Sequence, residues 1–143
     1  MQMRMQASLV RKTITFLAII YTLTITIGAL VTPIRLAGAP SFFDKIIHVV
    51  AHFGLVTIWV LWAVFQYKVQ SIKVFKVSAP TILIRFFLLA VLYGITIEIL
   101  QGGLTTYRTP DVQDVIANTT GAFLAVLVGF VFKNKLEGLK SRF

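Results

Sequence analysis

The chain predicts an all-α fold: a polytopic membrane protein built as an antiparallel bundle of four transmembrane helices. Three observations carry that prediction. Of 143 residues, 57% are hydrophobic and only 13% charged, with a mean hydropathy of +0.87, a balance typical of integral membrane proteins. Four apolar runs, about 14–31, 46–67, 82–101 and 112–132, match the roughly 20 residues an α-helix needs to cross a hydrocarbon core. The segments between them are short, which makes sequence neighbours antiparallel.

The first run follows Arg11 and Lys12 and precedes Ala37-Gly38-Ala39. It is longer than a secretory signal core, and Pro40 directly after Ala39 suits cleavage poorly, so it is read as a retained anchor. The second run opens on Asp44, His48 and His52 at i, i+4 and i+8. That spacing puts all three on one helical face, about 6 Å of rise apart. Trp59 and Trp62, deeper in the run, are expected to pack rather than to bind. The third run sets Ala90, Gly94 and Glu98 four residues apart and ends at Gln101, before Gly102-Gly103. The fourth carries Ala117, Gly121, Ala125 and Gly129 at the same spacing, a stripe of small residues that lets another backbone approach closely. Its expected partner is the third run, an arrangement that would bring Glu98 toward Asp114 and Asn118. Residues 1–143 are read as one integral membrane domain.

Charge sets the expected orientation. Ten bases flank the first and fourth runs at the termini or lie between the second and third, against three, Arg35, Lys45 and Arg108, in the other two loops; Arg85 lies inside the third run. The positive-inside rule then makes both termini cytoplasmic. Anionic inner-leaflet lipid accounts for the basic flanks, so no nucleic-acid partner is expected. Four of the five acids, Asp44, Glu98, Asp111 and Asp114, fall toward the outer side. A charged side chain near the bilayer centre costs about 2.5–3.5 kcal/mol on insertion scales, so such residues turn inward or toward water. Three polar helix faces at one membrane level imply a shared cavity.

Each acid also has a plain structural reading. Ser41 can cap a helix in which Asp44 occupies the first turn. Asp111 follows Thr109-Pro110 at a helix start, where a carboxylate suits the positive dipole end; Asp114, one turn deeper, is not explained that way. Glu98 lies near a helix C-terminus, which disfavours an anion, and therefore needs a partner: Arg108 is the cation in reach, with His48 and Asn118 as donors. Gln101 either orients Glu98 or marks the helix exit. His48 and His52 form an H-x-x-x-H pair with no H-E-x-x-H motif, and no metal or other cofactor is assigned. The acceptor pattern at Asn118-Thr119-Thr120 lies within a span and is set aside. There are no cysteines, which excludes disulfides and thiolate-bound metal.

Three linked motifs resemble the VanZ-like family of small bacterial membrane proteins. Asp44-Lys45-Ile46-Ile47-His48 is similar to its D-K-x-x-H signature, and Glu98-Ile99-Leu100-Gln101 to its E-x-x-Q. The stretch from Arg108 through Asp111, Asp114 and Asn118 to Gly121 is similar to its R-x-x-D-x-x-D-x-x-x-N-x-x-G. His52 stands where many members carry an aromatic residue. The resemblance implies an inner-membrane protein associated with glycopeptide, particularly teicoplanin, resistance. On the residues, the leading expectation is a site that recognises a lipid, glycan-lipid or cell-envelope head group. Asp44, Lys45, His48, Glu98, Gln101, Arg108, Asp111, Asp114 and Asn118 would line it, with Lys45 and Arg108 meeting anionic groups. Two rivals stay open. One is a membrane-embedded enzyme with Glu98 or Asp114 as general base and His48 as proton shuttle. The other is a structural subunit of a larger envelope complex.

Overall fold

The computed structural model describes residues 2–31, 42–66, 78–104 and 110–142. Five helices occupy them: α1 (Gln2–Val31), α2 (Phe42–Gln66), α3 (Ala79–Leu104), α4 (Val112–Val131) and α5 (Lys133–Arg142). No strand occurs among the described residues. Helices α1 to α4 contain the four segments long and apolar enough to cross a membrane, 24, 25, 26 and 20 residues. At about 1.5 Å of rise per residue, even the shortest spans the roughly 30 Å of hydrocarbon.

The helices outrun the apolar runs because a charge that ends an apolar run need not end a helix. Helix α2 starts at Phe42, four residues before the apolar run, and takes Asp44 into its first turn, where the dipole favours it. Helix α3 starts on Ser78, whose hydroxyl oxygen lies 3.4 Å from the Thr81 amide and 2.9 Å from the Thr81 hydroxyl, with Pro80 in the first turn, where its missing N–H costs nothing. Helix α5 was not expected. Helix α4 closes at Phe132 (φ −95°, ψ 12°), and the Phe132 carbonyl accepts from the amides of both Lys135 and Leu136. The chain therefore re-enters a helix at once, with Leu136 packed on the core.

The core is made by α2, α3 and α4. Leu55, Val56, Val60, Ala63 and Val64 meet Ile82, Leu83, Ala90, Ala122, Ala125 and Val126 there. Outward faces such as Phe16, Leu23 and Ile27 on α1, Leu88, Leu92 and Ile99 on α3, and Phe123 and Leu127 on α4 are exposed, as lipid-facing surfaces should be. The stripe on α4 packs differently from expectation. A Cβ added at Gly121 would overlap the backbone carbonyl of Val49, so at this position α4 approaches the backbone of α2. Gly129, further along, faces Leu83 of α3, and Gly94 of α3 lies against Asn118 of α4. Since α2 and α4 are separated by one intervening antiparallel helix, they run parallel, and their N-termini come together at one end.

Helix α1 sits on the side of this trio and buries little beyond Ala18. Side-chain hydrogen bonds hold it. Tyr21 donates to the Ala51 carbonyl at 3.0 Å, Trp59 to Thr22 at 3.0 Å, Trp62 to Thr15 at 3.0 Å and Gln66 to Thr15 at 3.1 Å. Thr26 shares a 2.7 Å hydrogen bond with Tyr93, and Gln101 donates to the Ala29 carbonyl at 2.9 Å. Trp59 and Trp62 thus pack between α1 and α2, as their depth in the run predicts.

Candidate functional site

The paired N-termini of α2 and α4 gather the charged residues. Asp111 is the N-cap of α4, in extended conformation (φ −119°, ψ 116°), its carboxylate accepting from the Gln113 amide at 2.8 Å. Asp114 occupies the first turn and Asn118 the next, while α2 presents Asp44 and Lys45 and, one turn on, His48. Two positive dipole ends side by side favour the three aspartates.

Lys45 is the hub. Its ammonium donates to Asp111 Oδ2 at 2.6 Å and to Asp114 Oδ1, and lies 3.8 Å from Asp44 Oδ2. Lys45, expected to meet anionic groups of a ligand, is thus engaged by the protein's own carboxylates. The Lys45 hydrogen bond, aided by the Gln113 amide, holds the Asp111 carboxyl below its ordinary range. Glu98 reaches the same network from α3: its Oε2 accepts from the Asp111 amide at 3.1 Å. The acid at the unfavourable end of α3 is therefore met by a backbone donor from the opening of α4. Arg108 and Ser41, named above as cation and cap, lie outside the described residues.

His48 bridges the cluster to its floor. Its Nδ1 is 3.0 Å from Asn118 Oδ1, and its Nε2 faces Asp114 Oδ2 at 3.6 Å and Asp44 Oδ1 at 4.0 Å. Glu98, Asp114 and Asn118 are 3%, 5% and 1% exposed and His48 9%, whereas the Asp111 side chain remains 42% exposed and those of Asp44 and Lys45 stay partly open. The arrangement is a partly open rim of Asp44, Lys45 and Asp111 over a buried floor of His48, Asp114, Asn118 and Glu98. One ligand atom from each of Asp44, His48 and Asp114 lies within 4.8 Å of the others.

The two histidines of the H-x-x-x-H pair have different surroundings. His52, also buried, carries no hydrogen bond on either ring nitrogen among the described residues; its ring tilts against Tyr93, and its Nε2 lies where Gly94 leaves room for it beside Asn118. Gln101 contacts α1 through the Ala29 carbonyl. The sequence reading missed that contact and the threonine face it belongs to, although Thr15, Thr22 and Thr26, at seven- and four-residue spacings, mark one side of α1. A separate groove of about 450 Å³ lies at the other end, lined by Ser8, Arg11, Lys12, Thr15, Phe16, Ile19 and Gln66.

Four membrane-crossing helices tied at one end by a buried charged network define a multi-pass integral membrane protein of the all-α class. The family model described as VanZ/LLP1 matches residues 2–133, and the chain belongs to that family. No curated protein and no solved structure shows significant similarity to it.

Proposed function

We propose that the rim and floor recognise the head group of a membrane lipid or a lipid-linked cell-envelope component. The observation that carries this reading is the convergence of Asp44, Lys45, His48, Glu98, Asp111, Asp114 and Asn118, from three helices, on one end of the bundle. Ionisable groups inside a membrane protein are costly unless they serve each other or a ligand, and a polar cluster that only joined helices would need no partly open rim. The floor offers acceptors at Glu98 and Asp114 for hydroxyls or amines. Arg108, which precedes Asp111 by three residues, supplies an anion partner that Lys45, held by two carboxylates, does not.

In this reading the polar end faces away from the cytoplasm across a bacterial inner membrane, with both termini inside, as the ten-to-three division of bases favours. The association with glycopeptide resistance follows from the family resemblance, and an envelope head group is a ligand consistent with it. The test is native mass spectrometry of protein extracted with native lipid. Wild type should retain a lipid class that Glu98→Gln and Arg108→Ala lose; equal retention by all three overturns the proposal.

A further inference from the structure

We infer that Asp44, His48 and Asp114 form a binding site for a divalent transition-metal ion, Zn(II) by the chemistry of the donors. The geometry starts at His48. Nδ1 lies 3.0 Å from Asn118 Oδ1, an oxygen that can only accept, so Nδ1 is the donor and Nε2 is the nitrogen left to ligate a metal. That nitrogen, on a side chain nine-tenths buried, has no hydrogen bond among the described residues. It points between two carboxylate oxygens at 3.6 and 4.0 Å, too far for hydrogen bonds. A cation set in those gaps would be held by the nitrogen and both carboxylates at once.

The spacing suits a metal. Zinc bonds to imidazole nitrogen and carboxylate oxygen run about 2.0–2.2 Å, so neighbouring ligands of a tetrahedral ion lie roughly 3.4 Å apart. The two separations from Nε2 need contract only slightly, and all three ligand atoms already lie within 4.8 Å. One imidazole with two carboxylates selects a first-row transition ion over magnesium or calcium, which take oxygen alone. Their remaining atoms are held as outer-shell partners hold metal ligands: Asn118 accepts from the ring and Lys45 donates to the second oxygen of Asp114. Three protein ligands leave a fourth position open, which a water or a head-group oxygen would fill.

The inference rests on reading this end as a ligand site. Its test contains metal and no added lipid, whereas the lipid measurement contains no added metal, so either can fail alone. Full-length protein, stripped by chelator and dialysed against Zn(II), should retain one ion per chain. His48→Ala and Asp114→Asn should abolish retention, Asn118→Ala should weaken affinity about 10–100-fold, and His52→Phe should leave it unchanged. X-ray absorption at the zinc edge of the wild type needs no variant and should show imidazole in the first shell. No ion retained by the wild type, retention by His48→Ala equal to wild type, or a zinc edge without imidazole would each overturn the site.

Discussion

The α2–α4 seam and the α1 seam join helices in the same apolar surroundings by different means. At the first, two parallel backbones meet at Gly121 and Val49, and the contact ends in ion pairs around Lys45. At the second, Thr15, Thr22, Thr26, Tyr21 and Gln101 carry discrete hydrogen bonds, and little of α1 is buried. Lipid tails are as apolar as a leucine face, so burial alone gives helices no reason to associate. Close packing and polar contacts remain, and each seam relies mainly on one. The difference teaches that α2 and α4 form the rigid base of the site, while α1 is a helix fastened alongside.

The comparison can be broken most severely at Gly121. Gly121→Leu should destabilise the protein by about 3 kcal/mol, the upper end for overpacking, because the obstacle is backbone that cannot rotate away. Gly28→Leu on α1, where nothing lies within 4 Å of the added carbon, should change little. Denaturant titration in detergent would measure both, and similar losses would remove the distinction between the seams.

Lys45→Met should cost about 2 kcal/mol, in the range for hydrogen bonds to charged groups. That is less than breaking a fully buried pair, because Lys45 and Asp111 are partly exposed. The same change combined with Asp114→Asn should cost less than the sum of the two; strict additivity would mean that the ion pair contributes nothing.

On the α1 seam the effects should be smaller and countable. Thr15→Val removes the acceptor of both Trp62 and Gln66 and should cost about 1.2 kcal/mol, twice the roughly 0.6 kcal/mol typical of an interhelical hydrogen bond in a membrane protein. Trp59→Phe, which removes one, should cost about half as much. A loss at Thr15 as large as that at Gly121 would show that α1 belongs to the rigid base.

The mildest probe is pH. The Asp111 carboxyl is held below the ordinary carboxylate value by Lys45 and the Gln113 amide, so the folded state favours its ionised form. Its contribution is present above that value and is lost as pH falls through the lower folded value. Stability of the wild type should decline below about pH 4, and Asp111→Asn should flatten that part of the profile. An unchanged slope would remove Asp111 from the network that joins α2 to α4.

Much of this molecule could be read along the chain. Run length and hydropathy point to four spans, because a helix satisfies its own backbone across the hydrocarbon and about twenty apolar residues match its thickness. Helical periodicity placed Asp44 and His48 on one face and Asp114 and Asn118 on another, and the capping logic at Asp111 held. Periodicity, however, names a face and not its partner. The small-residue stripe of α4 is expected against α3; Gly129 does face Leu83 of α3, but Gly121 meets Val49 of α2. Helix α5 escaped notice because its polar sequence carries no apolar period. Only the tertiary structure decided that α2 and α4 meet in parallel. That choice depends on which backbones can approach most closely once all four helices are packed. From it follow the engagement of Lys45 by Asp111 and Asp114, the backbone partner of Glu98, and the lone nitrogen of His48 set between two carboxylates.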